Sequence, residues 1–369
     1  MIRIILVLLL AIFGCTTTQR KDTGLTIKKI KYAKCFSIKH GDGYKIVDVV
    51  NPWNKKTLLH TYVLVPKSEP LPKNLPEGTL VRTPIEKIVV YTGVDAGILD
   101  FLGVAGSISG VCESKYITIP SISEAISNGK IIDLGQATMP SIEKIIAIQP
   151  EGLIVSPYQN TGYGAIEKLA TPIIECAAYM ENSPLGQSEW IKFIAEFVGK
   201  DALADSLFSD IETKYNAARA IAAEVKTKPM ILPGKKFGQA WHVAAGESFM
   251  ANIYADAGGS YPWSTTKGQG SLTLSFEEVY SKAKNADYWF ITYNNPIQNM
   301  DYDALKSEYE NYANFNTFKV RNIYGCNTAT SPIFETSITA PYLLLKDYIK
   351  ILHPELLPTY TTTYFKPLQ

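Results

Sequence analysis

The segment LGQATMPSIEKIIAIQPEGLIVSP, Leu134–Pro157, sets a helical pattern directly before a strand pattern. Ile142, Ile145 and Ile146 share one face at helical spacing, so Ser141–Ile148 reads as a short helix. Glu143 falls off that face. After Pro150, GLIVSP is a short and almost wholly apolar run, as expected of a strand buried on both faces. A helix feeding such a strand is the unit of a parallel sheet covered by helices.

The alternation continues in both directions. Upstream, KIVVYT (Lys87–Thr92) is a strand, DAGILDFLG (Asp95–Gly103) a helix that ends on its glycine, and ISGVC (Ile108–Cys112) a strand. Downstream, YGAIEKLA (Tyr163–Ala170) reads as a helix and PIIECA (Pro172–Ala177) as a strand. Ser183–Lys226 then breaks the pattern. It holds no proline after Pro184, and Phe208, Ile211, Tyr215, Ala218 and Ala222 recur at helical spacing. We read a short helix, Glu189–Val198, and a long one, Ala202–Lys226. Alternation resumes with strands KKFGQAWHVA (Lys235–Ala244), DYWFITY (Asp287–Tyr293) and KVRNIYG (Lys319–Gly325). The intervening helices are ESFMANIYADAG (Glu247–Gly258), LSFEEVYSKAK (Leu274–Lys284) and DYDALKSEY (Asp301–Tyr309), with SITAPYLLLKDYIKIL (Ser337–Leu352) closing the series. The fold class is therefore α/β, with mostly parallel sheets in two lobes (81–182 and 227–357). One long helix within 183–226 joins them, and 358–369 is a tail.

Residues 25–80 carry a different signal. YAKCFSIKH, YKIVDVV and LHTYVLVP are rich in β-branched and aromatic residues, and Gly41-Asp42-Gly43 marks a hairpin. Four prolines between Pro66 and Glu77 make an extended connector. This is an N-terminal β extension packed on the first lobe.

The start of the chain speaks to location. Arg3 precedes an apolar run, Ile4–Phe13, that is too short to span a bilayer and fits a secretory signal over 1–15. Ile12-Phe13-Gly14-Cys15 resembles a bacterial lipobox, whose cysteine is lipidated and becomes the new terminus; residues 16–24 then form a polar tether. An ordinary signal with an incidental cysteine is the alternative. The expected location is periplasmic, with Cys15 lipid-anchored to a bacterial membrane.

Composition narrows the function. The formal net charge is +1 with no basic block, which argues against a nucleic-acid partner. Cys35, Cys112, Cys176 and Cys326 are widely spaced and form no CxxC pair, so they read as small buried hydrophobes, with one disulfide left open. No GxSxG, HExxH, GxxxxGK or strand-linked GxGxxG is present, so an enzyme is not expected.

At Leu134–Pro157 and again at Leu274–Tyr293 (LSFEEVYSKAKNADYWFITY) the chain resembles the periplasmic substrate-binding proteins of ABC importers for ferric siderophores, haem and cobalamin. The resemblance spans about 82–357 and leaves the extension outside. It implies two lobes with a ligand cleft between them, a permease and ATPase complex as partner, and one exposed glutamate per lobe that docks on permease arginines. Glu143 takes that position in the first segment and Glu277 in the second, with Glu278 a rival. Glu151 stands where the family carries an aspartate. On the residues alone, both glutamates are equally consistent with solvated helix faces.

Open α/β sheets bind ligands beyond the carboxyl ends of their strands. Those ends give Tyr91 and Thr92, then Gln136 and Thr138, then Tyr158 and Gln159, with Tyr163 just beyond. In the second lobe Trp241 and His242 end a strand, and Tyr261 and Trp263 follow Gly258-Gly259. Tyr293 and Asn294 end DYWFITY, and Ser331 precedes the last helix. Aromatics and amides without arginine suit a bulky, partly apolar ligand. An anionic ferric catecholate would call for cations, which Lys235, Lys236 and Lys267 would have to supply. The balance leans to a cobalamin-like ligand over an iron chelate or haem. The bound group, whether corrinoid, haem or ferric chelate, is cargo, and neither a resident cofactor nor a protein metal site is expected. His242 is either a ligand to haem iron or cobalt or simply hydrogen-bonded. The competing class is a surface-attached adhesion or scaffold lipoprotein without a small-molecule ligand.

Overall fold

The computed structural model describes residues 24–369; the signal segment and Cys15 lie outside the described residues, as does the tether up to Thr23. The extension is one five-stranded sheet in the order β1 (Thr26–Ile27), β2 (Phe36–His40), β3 (Lys45–Val50), β4 (Leu58–Pro66), β5 (Thr79–Thr83). Gly41 and Tyr44 close the β2–β3 hairpin, with Gly43 at φ +76°. The proline-rich connector has a consequence the composition does not show. It crosses over the sheet, so β5 pairs parallel to β4, Tyr62 opposite Thr79.

The first lobe contains β6 (Ile88–Val90), β7 (Ile108–Val111), β8 (Ile132–Asp133), β11 (Gly152–Val155) and β12 (Ile173–Glu175), with β9 (Gly135–Gln136) and β10 (Met139–Pro140) forming a small hairpin between β8 and β11. The main sheet is parallel throughout, in the order β12-β11-β6-β7-β8. Its helices are α1 (Gly93–Phe101), α2 (Pro120–Ser127) and α3 (Ile142–Ile148). β6 and β11 are buried along their whole length, as two-sided coverage requires. The helix expected over Tyr163–Ala170 is only a 3-10 segment, Gly164–Lys168. Gly164, the first residue of that segment, sits at φ +62°, outside α-helical backbone, and Glu167 accepts the Tyr163 N–H.

Three helices cross between the lobes: α4 (Pro184–Ser188), α5 (Trp190–Val198) and α6 (Asp201–Ile221). α6 ends five residues before the predicted Lys226, because Ala222–Val225 tighten into i→i−3 turns. α5 is buried along its whole length, since the extension covers it. Phe36 packs on Trp190 at 4.9 Å and Tyr62 on Phe197 at 5.2 Å. Carboxylates fix the join. Glu189 is fully buried and accepts the backbone N–H groups of Lys31, Tyr32 and Ala33, at 2.6–3.0 Å. Glu181 accepts those of Lys34 and Cys35, and Glu196 pairs with Lys28 and Lys45.

The second lobe departs further from the sequence reading. Its parallel core is β13 (Ile231–Pro233), β17 (Tyr288–Tyr293) and β18 (Ile323–Asn327). Lys235–Ala244 is not a strand of that core; it folds back as β14 (Lys236–Phe237) and β15 (Ala240–Ala244), paired with β16 (Ser271–Leu274) in a separate antiparallel sheet. The lobe's helices are α7 (Phe249–Asp256), α8 (Phe276–Ala283), α9 (Tyr302–Glu308), α10 (Asn316–Lys319), α11 (Ile333–Thr336) and α12 (Pro341–Leu352). KVRNIYG is likewise split: Lys319 ends α10, Arg321 turns at φ +57°, and the strand begins at Ile323. The 358–369 segment supplies β19 (Lys366–Pro367), antiparallel to β18. Asp347 of α12 pins it by accepting the N–H groups of Thr363, Tyr364 and Phe365. Among the described residues, Cys35, Cys112, Cys176 and Cys326 are all buried and unpaired, and no helix is long and apolar enough to cross a membrane.

Away from the linker helices the lobes meet again. α1 of the first lobe lies against α11 of the second, and a Cβ placed on Gly97 would sit 2.2 Å from the Glu335 carbonyl oxygen. The buried Glu335 carboxylate reaches back to accept the Thr118 N–H at 2.6 Å and its hydroxyl at 2.9 Å. We expect Gly97→Ala to force this contact apart and cost about 1–3 kcal/mol, as overpacking does. Thermal unfolding checks this; an unchanged melting temperature contradicts it.

Candidate functional site

A trough of three adjoining cavities runs between the lobes. The largest of the three, about 590 Å³, faces the second lobe and is walled by His242, Phe249, Tyr254, Phe290, Phe334 and Tyr348, with Tyr179 and Met180 from the short turn after β12. A waist of about 250 Å³ follows, lined by Thr92, Asp95, Ser156, Tyr158, Gln187 and Ser337. Beyond it a side chamber of about 400 Å³ opens in the first lobe, under the β9–β10 hairpin. Tyr179 and Gln187 are shared by the large cavity and the waist, and Thr92 and Tyr158 by the waist and the chamber.

The strand-end residues of the first lobe converge here. Tyr91, Thr92, Thr138, Tyr158 and Tyr163 all line the chamber or the waist. Thr92 caps α1, its hydroxyl donating to Asp95 at 2.6 Å, and the Tyr163 hydroxyl donates to Glu175 at 2.7 Å. Gln136 and Gln159 are exposed and line none of the three cavities.

The second lobe sorts differently. Side chains alternate along β15, so His242 faces the large cavity while Trp241 is fully buried behind it, its indole N–H donating to the Pro233 carbonyl at 2.9 Å. Trp241 lines none of the three cavities. Tyr261 and Trp263 are core residues as well. Tyr261 donates to the Ala244 carbonyl and packs at 5.1 Å on Tyr254, the ring that does reach the cavity. Tyr293 and Ser331 border a separate cavity beside the C-terminal segment, and Asn294 is exposed and bonded to Thr328. His242 has Nδ1 3.3 Å from the Thr273 hydroxyl, and no cluster of three or more potential metal ligands occurs among the described residues.

Several wall residues escape the sequence reading. Tyr179 and Met180 follow β12, so the carboxyl-end rule applied to PIIECA reaches them. Phe249, Tyr254, Phe334 and Tyr348 lie on helices, where aromatic spacing signals only a core. The lysines are engaged elsewhere. Lys235 pairs with Glu308, Lys236 lies over the Tyr309 ring, and Lys267 pairs with Glu247. The large cavity is thus predominantly apolar, with no lysine or arginine in its lining among the described residues.

Asp95 is the one carboxylate lining the waist among the described residues. Burial lifts its pKa from 3.8 to about 6, against the hydrogen bonds from Thr92 and Cys176 that lower it. The folded chain thus holds a proton that the unfolded chain has released. Stability from this group is present at low pH and is lost as pH rises toward about 6. Asp95→Asn is expected to remove this fall, so the melting temperature of the variant minus that of the native chain rises between pH 4 and 6. A difference that is flat with pH contradicts the assignment.

Outside the trough, Glu143 and Glu277 occupy matched places. Each is the second residue of its helix, after a capping serine, Ser141 or Ser275, and an apolar first residue. Both are exposed. Glu278 is committed to a capping box, accepting the Ser275 N–H and hydroxyl at 2.7 and 2.9 Å, which leaves Glu277 as the outward group. Ile146 is not on the buried face of α3 as its spacing suggests. It is 56% exposed, and Ile145 and Ile148 anchor the helix instead.

This geometry defines a two-lobed solute-binding fold. Residues 88–330 match the model of the periplasmic binding protein family, and the chain belongs to that family. An uncharacterized lipoprotein of Methanocaldococcus jannaschii, MJ0878, is 25% identical over 375 residues, covering 95% of this chain and 88% of the relative. The ferric-anguibactin-binding protein FatB of Vibrio anguillarum is 28% identical over 122 residues, 32% of this chain and 35% of that protein. Among solved structures, the molybdate-binding protein MolA of Haemophilus influenzae superposes with a TM-score of 0.60 at 14% identity, over 75% of this chain and 89% of that one. The protein is a solute-binding protein and not an enzyme.

Proposed function

We propose that this chain is a lipid-anchored, extracytoplasmic binding protein that captures a bulky, near-neutral metal complex, a corrinoid or a ferric chelate, and delivers it to an ABC importer. The observation that carries the reading is the interlobe trough, whose largest cavity is aromatic, apolar and, among the described residues, lined by no lysine or arginine. A small oxyanion such as molybdate would need a tight polar cradle, and a polyanionic chelate would need cations. FatB binds a ferric siderophore, which agrees in class. The lipoprotein relative agrees with anchoring through Cys15.

Trp241 and Trp289 donate to the carbonyls of Pro233 and Gly234, both in the cavity wall, so a chromophore in the trough lies close behind two indoles. Titration of the mature chain with cyanocobalamin, ferric chelates and haemin is expected to quench tryptophan fluorescence saturably for a corrinoid or a ferric chelate, and molybdate is expected to leave it unchanged. Quenching by none of them favours the scaffold alternative.

Glu143 and Glu277 serve as the paired contacts for arginines of the permease. They are exposed, without a hydrogen bond or salt bridge among the described residues, and lie one on each lobe, a geometry that fixes orientation as well as attraction. Charge reversal at both, Glu143→Lys with Glu277→Lys, is expected to abolish uptake while ligand affinity stays within about twofold of native, because neither side chain reaches the trough. Equal loss of affinity would place these residues in the binding site or the fold instead.

A further inference from the structure

The large cavity and the waist meet at three residues, one from each part of the fold. Tyr179 follows β12 of the first lobe, Gln187 lies on α4 of the linker, and Ser337 ends α11 of the second lobe. A ligand that occupies both spaces passes between them. Two of the three have a committed proton. The Tyr179 hydroxyl donates to the Pro157 carbonyl, and the Ser337 hydroxyl to the Phe334 carbonyl at 3.2 Å, so each offers the trough only lone pairs. Gln187 differs. It is 9% exposed, it lies against both cavities, and its side chain makes no hydrogen bond among the described residues. The described polar atoms sealed from both solvent and partner are on His40, Tyr91, Thr317 and Ser331, so the Gln187 amide is open to the trough. A ligand that displaces water from this amide must replace the hydrogen bonds it takes away.

We propose that this throat reads a carboxamide on the edge of the ligand, and that Gln187 sets the specificity for it over the isosteric carboxylate. The amide carbonyl accepts from the Gln187 N–H groups. Its own N–H groups donate to the Gln187 carbonyl and to the hydroxyl oxygens of Tyr179 and Ser337. A carboxylate brings only acceptors to side chains that already present three acceptor oxygens. Its charge would also stand near Asp95 in the waist, which is ionised at neutral pH. The inference rests on the trough being the ligand site and deepens it. It favours a corrinoid, whose edge carries carboxamides, over haem, whose edge carries carboxylates.

The test uses probes without a metal, so it reads the throat independently of the cargo. Phenylacetamide and phenylacetate share a ring that suits the aromatic cavity and differ in the group offered to the throat. Both are titrated by NMR at neutral pH against the isotope-labelled mature chain and Gln187→Met, which keeps the length of the side chain and removes its amide. Gln187→Leu is run beside it, and melting curves establish which variants fold. In the native chain phenylacetamide is expected to shift the side-chain N–H signals of Gln187, identified by their absence from the variants. It is expected to bind about tenfold more tightly than phenylacetate, and to lose about fivefold in either variant, the effect of one neutral hydrogen bond. Phenylacetate should bind the variants no worse than the native chain. Unmoved Gln187 signals, equal phenylacetamide affinity in native and variant chains, a preference for phenylacetate, or no binding of phenylacetamide to the native chain overturns the assignment. If phenylacetamide behaves as expected while no metal complex quenches the tryptophans, the throat stands and the cargo assignment fails. If metal complexes quench while phenylacetamide does not distinguish the chains, the trough remains the ligand site and the carboxamide reading falls.

Discussion

The trough exists because the lobes are braced on two sides. The linker helices hold one side, and the close approach of α1 to α11 holds the other. That approach tolerates no side chain at Gly97, where even a methyl would lie 2.2 Å from the Glu335 carbonyl oxygen. The Glu335 carboxylate then ties its own lobe to Thr118 of the other through charge-assisted hydrogen bonds, stronger than neutral ones. With both sides tied, the space between the lobes is a defined set of cavities. Ligand capture by a small closing motion fits this frame better than a wide hinge.

The same device recurs wherever a segment outside the parallel sheets must be held. Glu189 and Glu181 gather consecutive backbone N–H groups of the extension, and Asp347 gathers those of the C-terminal segment. A carboxylate that accepts several backbone donors fixes a chain path without needing a regular partner strand, and it satisfies groups that would otherwise be buried unpaired. Desolvation pushes the pKa of Glu181 and Asp347 up, while those backbone hydrogen bonds act in the opposite direction. The extension is thereby built onto the linker rather than appended to it, and α5 is buried on all sides as a result.

How much of this was legible follows from physical scale. The short apolar strands, the helices between them and the long linker helix depend on local periodicity, and most stand close to where periodicity puts them; Tyr163–Ala170, Lys235–Ala244 and Lys319–Gly325 do not. β5 depends on a parallel crossover from β4, and β13 and β19 on pairing with strands distant in sequence, so their own residues signal little. In the site, the carboxyl-end rule brought Tyr91, Thr92, Thr138, Tyr158 and Tyr163 to the trough; His242 also reaches it, but from the middle of the antiparallel strand β15 rather than from the end of a parallel one. The rule could not tell Trp241 from His242, because adjacent residues of a strand point to opposite faces and only the register with β16 decides which is buried. Phe334, Tyr348 and Asp95 were beyond reach for a related reason. Nothing local distinguishes a helical side chain facing a cavity from one facing a core.

Anomalous diffraction tests the account most directly. Crystals saturated with cyanocobalamin or with a ferric chelate, measured at the cobalt and iron edges, locate the metal without reference to the rest of the ligand. The account predicts one peak in the large cavity, among Tyr179, His242, Phe290 and Phe334. A peak on the extension or on an outer face of either lobe, with the trough filled only by water, would contradict it.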